Sequence, residues 1–276
     1  MENVLHRFEP ITRALGAAGN WPPLRKLRAA WLHRKFLSNR QDNMFWGVFD
    51  SFDEAAASAP PSRLVGYDNA SSAQMYQHRL WIEEFDYPAM FWLARSLSEG
   101  MRTIVDLGGS VGIKYFAFGK VMDFPPDLVW RVIDVPAVAA QGRVFAHGRG
   151  VTSGLEFSDR LADIQGMDVI FASGVLQYMP QSLGDVLGSI DRLPRRLIVN
   201  TTAIHADKQF FTLNNIGTAY CPYRVQARTE FVESIKAKGY VLRDKWDNSG
   251  KYLRLALHPE LSLSIYSGFC FDRVGG

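Results

Sequence analysis

Thr103-Ile-Val-Asp-Leu-Gly-Gly-Ser-Val-Gly112 is the stretch on which the fold turns. A short apolar run, Thr103–Leu107, carries an acid near its end. Glycines follow at 108, 109 and 112, and helical spacing resumes over Ile113–Met122. Glycines permit a tight turn and let a ligand approach the backbone. The free N–H groups at the start of the helix suit an anionic group. The next apolar run, Val129–Asp134, ends in a second acid, 22 residues beyond Gly112. An acid about 20 residues past such a loop typically receives ribose hydroxyls.

Working outward, Val151–Phe157, Asp168–Ser173 and Leu197–Thr201 read as further strands, with helices over Ala137–His147 and Leu183–Leu193. Strands alternating with helices predict a parallel sheet covered on both faces. After Arg228 a helix runs to about Lys238. Tyr240–Trp246, Tyr252–Leu257 and Leu263–Phe271 then read as strands with short connections. Upstream, helices are expected over Ser72–Glu84 and Tyr87–Ser98, the second ended by Gly100. A shorter helix spans Asp50–Ser58, stopped by Pro60 and Pro61, and Gly66-Tyr67-Asp68 reads as a turn. Pro22 and Pro23 open a segment with Leu24, Leu27, Trp31 and Leu32 at helical spacing. That stripe either packs on the main domain or rests on an anionic membrane or a partner. The expected division is a helical extension and lid over residues 1–100 and a ligand-binding domain over 101–276.

The charge is uneven. The whole chain carries +3, but residues 1–40 hold eight Lys/Arg and two acids, a net +6, leaving −3 for the rest. The basic excess is confined to the N-terminal arm, and no basic, aromatic-rich extension flanks the core, which argues against a nucleic-acid partner. No run of 18 apolar residues occurs, so no membrane span is expected. The N-terminus lacks a signal-like apolar stretch. Cys221 and Cys270 are the only cysteines, too few for a disulfide framework or a zinc site. A cytoplasmic protein is expected, with weak membrane-surface association through residues 1–40 as the sharper variant. No acid/His cluster has metal-ligand spacing.

The residues from about Thr103 to Arg273 resemble the class I S-adenosylmethionine-dependent methyltransferases. Asp106-x-Gly108 with Gly109 and Gly112 is similar to that family's acid-x-G-x-G-x-G pattern, with Ser110 in place of the middle glycine. Val132-Ile-Asp-Val-Pro-Ala-Val138 looks like the D-[LV]-P-x-V segment of many O-methyltransferases. Asp168-Val-Ile-Phe-Ala-Ser-Gly-Val-Leu-Gln-Tyr178 looks like the fourth-strand motif. More narrowly, residues 44–273 resemble a family of bacterial methyltransferases associated with surface-polysaccharide gene clusters. The pieces that carry this are Gly47-Val-Phe49, Gly66-Tyr-Asp68, Thr212-Leu-Asn-Asn-Ile-Gly217, Cys221-Pro-Tyr-Arg224, Gly239-Tyr240 and Gly268-Phe269. The resemblance implies a Rossmann-like α/β fold, a mostly parallel seven-stranded sheet ending in an antiparallel hairpin, with the N-terminal helical extension.

It also implies S-adenosylmethionine as cofactor, held by Asp106, Gly108, Gly109, Ser110, Gly112, Asp134, Val135, Phe157, Ser158, Asp159 and Ser173. The implied reaction is O-methylation of a hydroxyl on a sugar or glycan precursor. A hydroxyl acceptor needs a base, for which His205 and Tyr178 are the candidates. Tyr67, Gln177, Asn214, Tyr223 and Arg224 are the expected substrate contacts; the last three lie in a polar insertion, Phe210–Arg224. Two alternatives stand beside this reading. One is a nicotinamide-dependent oxidoreductase, although Gly108, Gly109 and Gly112 do not match the G-x-G-x-x-G spacing that dinucleotides favour. The other is a non-catalytic subunit of the same fold, binding a partner through its basic arm.

Overall fold

The computed structural model describes residues 22–69 and 77–275. Five parallel strands form the centre of its main sheet: β3 (Thr103–Leu107), β4 (Val129–Ile133), β5 (Leu155–Ser158), β6 (Val169–Ser173) and β7 (Arg196–Thr202). Two more, β11 (Tyr240–Asn248) and β12 (Tyr266–Arg273), complete it in the order β11-β12-β7-β6-β3-β4-β5. Only β12 runs against its neighbours, pairing antiparallel with both β7 and β11. This is a Rossmann-like, mostly parallel seven-stranded sheet with a closing antiparallel hairpin. The chain moves outward from β3 through β4 and β5, then returns to the other side of β3 as β6. The switch point, where such folds bind ligands, therefore lies at the C-terminal ends of β3 and β6.

Alternation along the strands sorts the core into two faces. Val105, Leu107, Ile133, Ile170, Leu197 and Val199 pack with Leu183 and Leu187 of α6 (Leu183–Gly188) and with Phe231 and Ile235 of α7 (Arg228–Lys236). Ile104, Trp130, Val132, Val169, Phe171 and Ile198 face the other way, against Leu93 of α3 (Tyr87–Ser98) and Phe118 of α4 (Ile113–Phe118). Helix α5 (Pro136–Gly148) follows β4, and its Gly142 brings it close over Phe157.

A second sheet stands beside the main one. Its order is β1-β9-β10-β2, with β1 (Met44–Phe49), β2 (Leu64–Val65), β9 (Phe210–Asn215) and β10 (Ala219–Ala227), and β8 (Ile204–His205) joins β10 from the side. The expected polar insertion at Phe210–Arg224 is thus largely a β-hairpin, and every residue of β9 and β10 is buried. The N-terminal extension likewise contributes strands as well as helices. α1 (Pro22–Ser38) and α2 (Phe52–Ala57) flank β1. Helix α1 does not dock through its expected stripe: Leu27 and Trp31 are 68% and 61% exposed. Phe36 is the docking residue, buried with Leu213 and Tyr220, while His33 stacks on Trp46 at 4.6 Å.

Other expectations shift for local reasons. Residues 77–83 are not helical and lead into a single 3-10 turn, Glu84–Asp86. The rest of the helix expected from Ser72 lies outside the described residues. Tyr252–Leu257 is no strand: it touches Leu263 through one bridge and turns Leu253 and Leu255 into a cluster with Phe210, Tyr223 and Tyr266. β5 starts four residues later than expected because Gly154 takes φ +81°. Among the described residues, no helix is long and apolar enough to cross a membrane.

Candidate functional site

The loop after β3 is shaped by glycine where no other residue fits. Gly108 has φ +68°, and a Cβ there would lie 2.2 Å from Val175 Cγ2. A Cβ on Gly109 would lie 2.4 Å from the Asp106 carboxyl carbon. Ser110 also takes a left-handed φ of +56°, which costs a non-glycine residue roughly 1–2 kcal/mol. That turn points the Ser110 N–H at Asp134, donating to Oδ2 at 2.9 Å. The Val135 N–H donates to the other oxygen at 2.8 Å. Asp134 therefore ties the β3 loop to the end of β4.

Asp106 sits beneath this loop. Trp130 Nε1 donates to its Oδ2 at 3.1 Å, and its Oδ1 is buried without a hydrogen-bond partner. Burial pushes the Asp106 carboxyl up to about 7, against the opposing hydrogen bond from Trp130. Burial also raises Asp134, to about 6, against its two backbone donors. A buried carboxylate with an unpaired oxygen is costly unless a ligand supplies the missing donor.

Above these acids opens a cleft of about 780 Å³. Asp106, Gly108, Gly109, Ser110, Asp134, Val135, Asp159 and Ser173 all line it, as do Tyr67, Gln177, Tyr178 and Tyr223. Asp68 closes one side, its Oδ1 accepting the Ala137 N–H at the start of α5.

Six residues expected at the site lie elsewhere. Gly112 caps α4 with φ +85° and faces Leu155. Phe157 packs under Gly142, and the Ser158 hydroxyl donates to Asp163 at 2.5 Å. Leu161 and Val138 line the cleft in their place. Asn214 is fully buried, accepting from the Tyr178 hydroxyl at 3.1 Å and donating to the Met44 carbonyl. Arg224 donates to the Pro180 carbonyl, with its guanidinium over Phe211.

His205 is the sixth. Its Nδ1 accepts from the Asp207 and Lys208 N–H groups at 3.1 Å, so the proton belongs on Nε2, which donates to the Glu260 carbonyl at 3.2 Å. Both nitrogens are committed to a surface turn, outside the residues lining the cleft. His205→Ala is therefore expected to leave the cleft and its ligand affinity unchanged. Its lost hydrogen bonds should lower stability by about 1 kcal/mol, read from a urea melt.

Several lining residues carry no signal in the sequence. Lys114 reaches Asp86 at 2.6 Å, and Asp86 is fully buried. Asn200 lies 3.4 Å from Asp86 and accepts from Trp246 Nε1 and Asn248 Nδ2. Asn248 Oδ1 in turn accepts from the N–H of Thr201, a residue held at φ +48°. Lys251, Tyr252 and Tyr266 arrive from the segments after β11 and at the start of β12. Only three-dimensional closure brings these together; their spacing in the chain says nothing.

No family model matches the chain, and no curated protein resembles it. Solved structures do. The mitomycin 7-O-methyltransferase matches at 16% identity over 81% of this chain, with a TM-score of 0.44; the chain spans 61% of that enzyme's length. The magnesium protoporphyrin IX methyltransferase from Synechocystis, solved with S-adenosylmethionine bound, matches at 13% identity over 72% of this chain and 79% of that one, TM-score 0.47. An O-methyltransferase of neocarzinostatin biosynthesis, solved with S-adenosylhomocysteine and 1,4-dihydroxy-2-naphthoic acid, matches at 16% identity over 74% of this chain and 58% of that one, TM-score 0.48. Strand order, more than overall superposition, defines the fold.

Proposed function

We propose that this protein transfers a methyl group from S-adenosylmethionine to an oxygen acceptor. The observation that carries the reading is the Asp106 carboxylate lying directly under Gly109. In dinucleotide folds the same turn brings a diphosphate against the helix start. Here the turn presents negative charge, which repels a diphosphate and attracts an ammonium. The unpartnered Asp106 Oδ1 and the two-oxygen grip of Asp134 on the loop fit an amino-acid moiety on one side and a ribose on the other. Val135, Val138 and Leu161 supply the apolar walls for a base. When bound, the cofactor supplies a methyl group activated on a sulfonium. The chain's own residues position it over the ends of β3 and β6, and the aromatic half of the cleft excludes water and aligns the acceptor.

The sugar or glycan acceptor expected from the sequence keeps Tyr67, Gln177 and Tyr223 as cleft-lining contacts and loses Asn214 and Arg224, which are spent inside the second sheet. Calorimetry with S-adenosylhomocysteine and with NAD tests the cofactor reading: the sulfur nucleotide is expected to bind and NAD not. Asp134→Ala should weaken the sulfur nucleotide at least about ten-fold, because hydrogen bonds to a charged acceptor are worth roughly 1.5–3 kcal/mol each. NAD binding with no response to the sulfur nucleotide would falsify the reading.

A further inference from the structure

The acceptor half of the cleft holds hydroxyls and no base. Resting on the methyltransferase reading, this contrast points to the acceptor itself. The Tyr178 ring stands edge-on between two others, with centroids 4.9 Å from Tyr67 and 4.9 Å from Tyr223 at interplanar angles of 78° and 90°. Its hydroxyl is tied to Asn214, which fixes the ring. Such a set of walls favours a flat, aromatic guest, since ring edges and faces attract one another.

Beside them the Tyr223 and Tyr266 hydroxyls lie 2.7 Å apart, both side chains buried. Burial holds both phenols well above their ordinary range. Each carries one proton; their mutual bond uses one and leaves the other for a third group. The pair can donate to an oxyanion but cannot take a proton away.

Five carboxylates among the described residues line the cleft, none on the elements that carry Tyr178, Tyr223 and Tyr266. Asp106 and Asp134 stand at the ends of β3 and β4, Asp159 follows β5 at the edge of the sheet, Asp68 accepts at the start of α5, and Glu83 accepts from the Trp81 indole at 2.7 Å. Among the described residues, no imidazole lines the cleft. A neutral sugar hydroxyl needs a base; an oxygen that is already ionised does not. Lys251 lines the same cleft, 5.1 Å from the Phe85 ring centroid; burial lowers its pKa from the ordinary lysine value, and an anionic guest would stabilise its charged form.

We propose that the acceptor is an acidic phenol that reacts as its own phenolate. Its ring is held by Tyr67, Tyr178 and Tyr223, and its oxygen accepts the spare proton of the Tyr223–Tyr266 pair. A phenolate lone pair forms the new oxygen–carbon bond as the carbon–sulfur bond breaks, its electron pair passing to sulfur. The positive charge of the sulfonium and the negative charge of the phenolate cancel, and no proton is left to remove.

The test uses the full chain saturated with S-adenosylhomocysteine and titrated with 4-nitrophenol, whose ionised form is yellow. The bound phenol is expected to ionise at a pH at least about one unit below the free phenol, a ten-fold preference for the phenolate. Tyr223→Phe and Tyr266→Phe, made singly, should each shrink that shift while leaving S-adenosylhomocysteine affinity unchanged. The proposal is overturned if 4-nitrophenol does not bind, if it ionises at an equal or higher pH when bound, or if a methyl glucoside binds in its place. S-adenosylhomocysteine affinity is measured first and alone. Its failure removes the cofactor reading, whereas a phenol result with the nucleotide bound bears on the acceptor only.

Discussion

Replacing Lys114 by Met is expected to destabilise the protein by about 3–5 kcal/mol, the usual cost of stripping one partner from a buried ion pair. Asp86 has no exposed side-chain surface, and Lys114 covers it at 2.6 Å with only 17% of its own side chain exposed. The remaining partners of the acid are one backbone N–H, from Glu83 at 2.9 Å, and Asn200 at 3.4 Å. These hydrogen bonds do not neutralise a charge enclosed between the start of α3 and the end of β7. In a chain of this size the loss corresponds to a fall in Tm on the order of 10 °C. The double variant Lys114→Met with Asp86→Asn should recover most of it, because no uncompensated charge is left behind. Thermal melts of the two variants side by side decide the point. A single variant within 1 kcal/mol of the parent would mean that water or a neighbouring cation takes over from Lys114.

The second large effect carries opposite signs for stability and binding. Asp106→Asn should stabilise the ligand-free protein at pH 8 by up to a few kcal/mol and weaken S-adenosylmethionine by ten- to a hundred-fold. Asp106 and Asp134 are raised to about 7 and about 6 by burial, so the folded state holds their protons more tightly than the unfolded chain does. The stability this confers is complete below the unfolded carboxyl value of about 4. It is lost as pH rises through the folded values. The parent protein should therefore weaken between pH 5 and 8, and Asp106→Asn, neutral throughout, should flatten that slope. A cationic ligand ionises the same acids, so its binding near pH 6–7 should release protons, seen as a heat that changes with the buffer. A parent protein whose melting point rises from pH 5 to 8, or binding with no proton release, would contradict this account.

Both effects depend on features of unequal visibility in the sequence. Asp106, the glycine turn and Asp134 are legible because a parallel βαβ unit is local. Strand, turn and helix follow one another, and the backbone demands of the turn are written in residue type. The parallel strands are legible for a related reason, being continuous apolar runs bounded by helices. Lys114 and Asp86 lie 28 residues apart and pair only once α3 has packed beside α4.

The second sheet is hidden by its chemistry. Thr212, Asn214, Asn215 and Arg224 make Phe210–Arg224 read as a solvated insertion. In the folded protein their polar groups are used internally: Asn215 donates to the Phe36 carbonyl and accepts from Arg63, Thr212 donates to the Trp46 carbonyl, and Asn214 holds Tyr178. Polarity there marks a hydrogen-bonded interior. The same inversion misplaces Asn214 and Arg224 as ligand contacts, and it turns His205 from a candidate base into a turn residue. Gln177 and Tyr223 line the cleft from the 3-10 turn after β6 and from the middle of β10, placements that residue type alone does not reveal.

The pairing of β1 with β9 has a consequence for how the chain is made. Met44 lies opposite Asn215, with β3 to β7 of the main sheet threaded between them. A chain emerging from the ribosome can assemble β3 to β7 from near neighbours. Met44-Phe-Trp-Gly-Val-Phe49 must wait for a partner that is synthesised more than 160 residues later. Contacts of such long sequence separation carry a large loop-closure cost and slow the folding steps that need them. During that interval an apolar, aromatic strand is left with an open edge, the kind of surface that pairs with other chains. The aromatic walls of the cleft include Tyr223, which lies on β10 beside β9, so that side of the cleft is completed only after the ends of β3 and β6 have already taken shape.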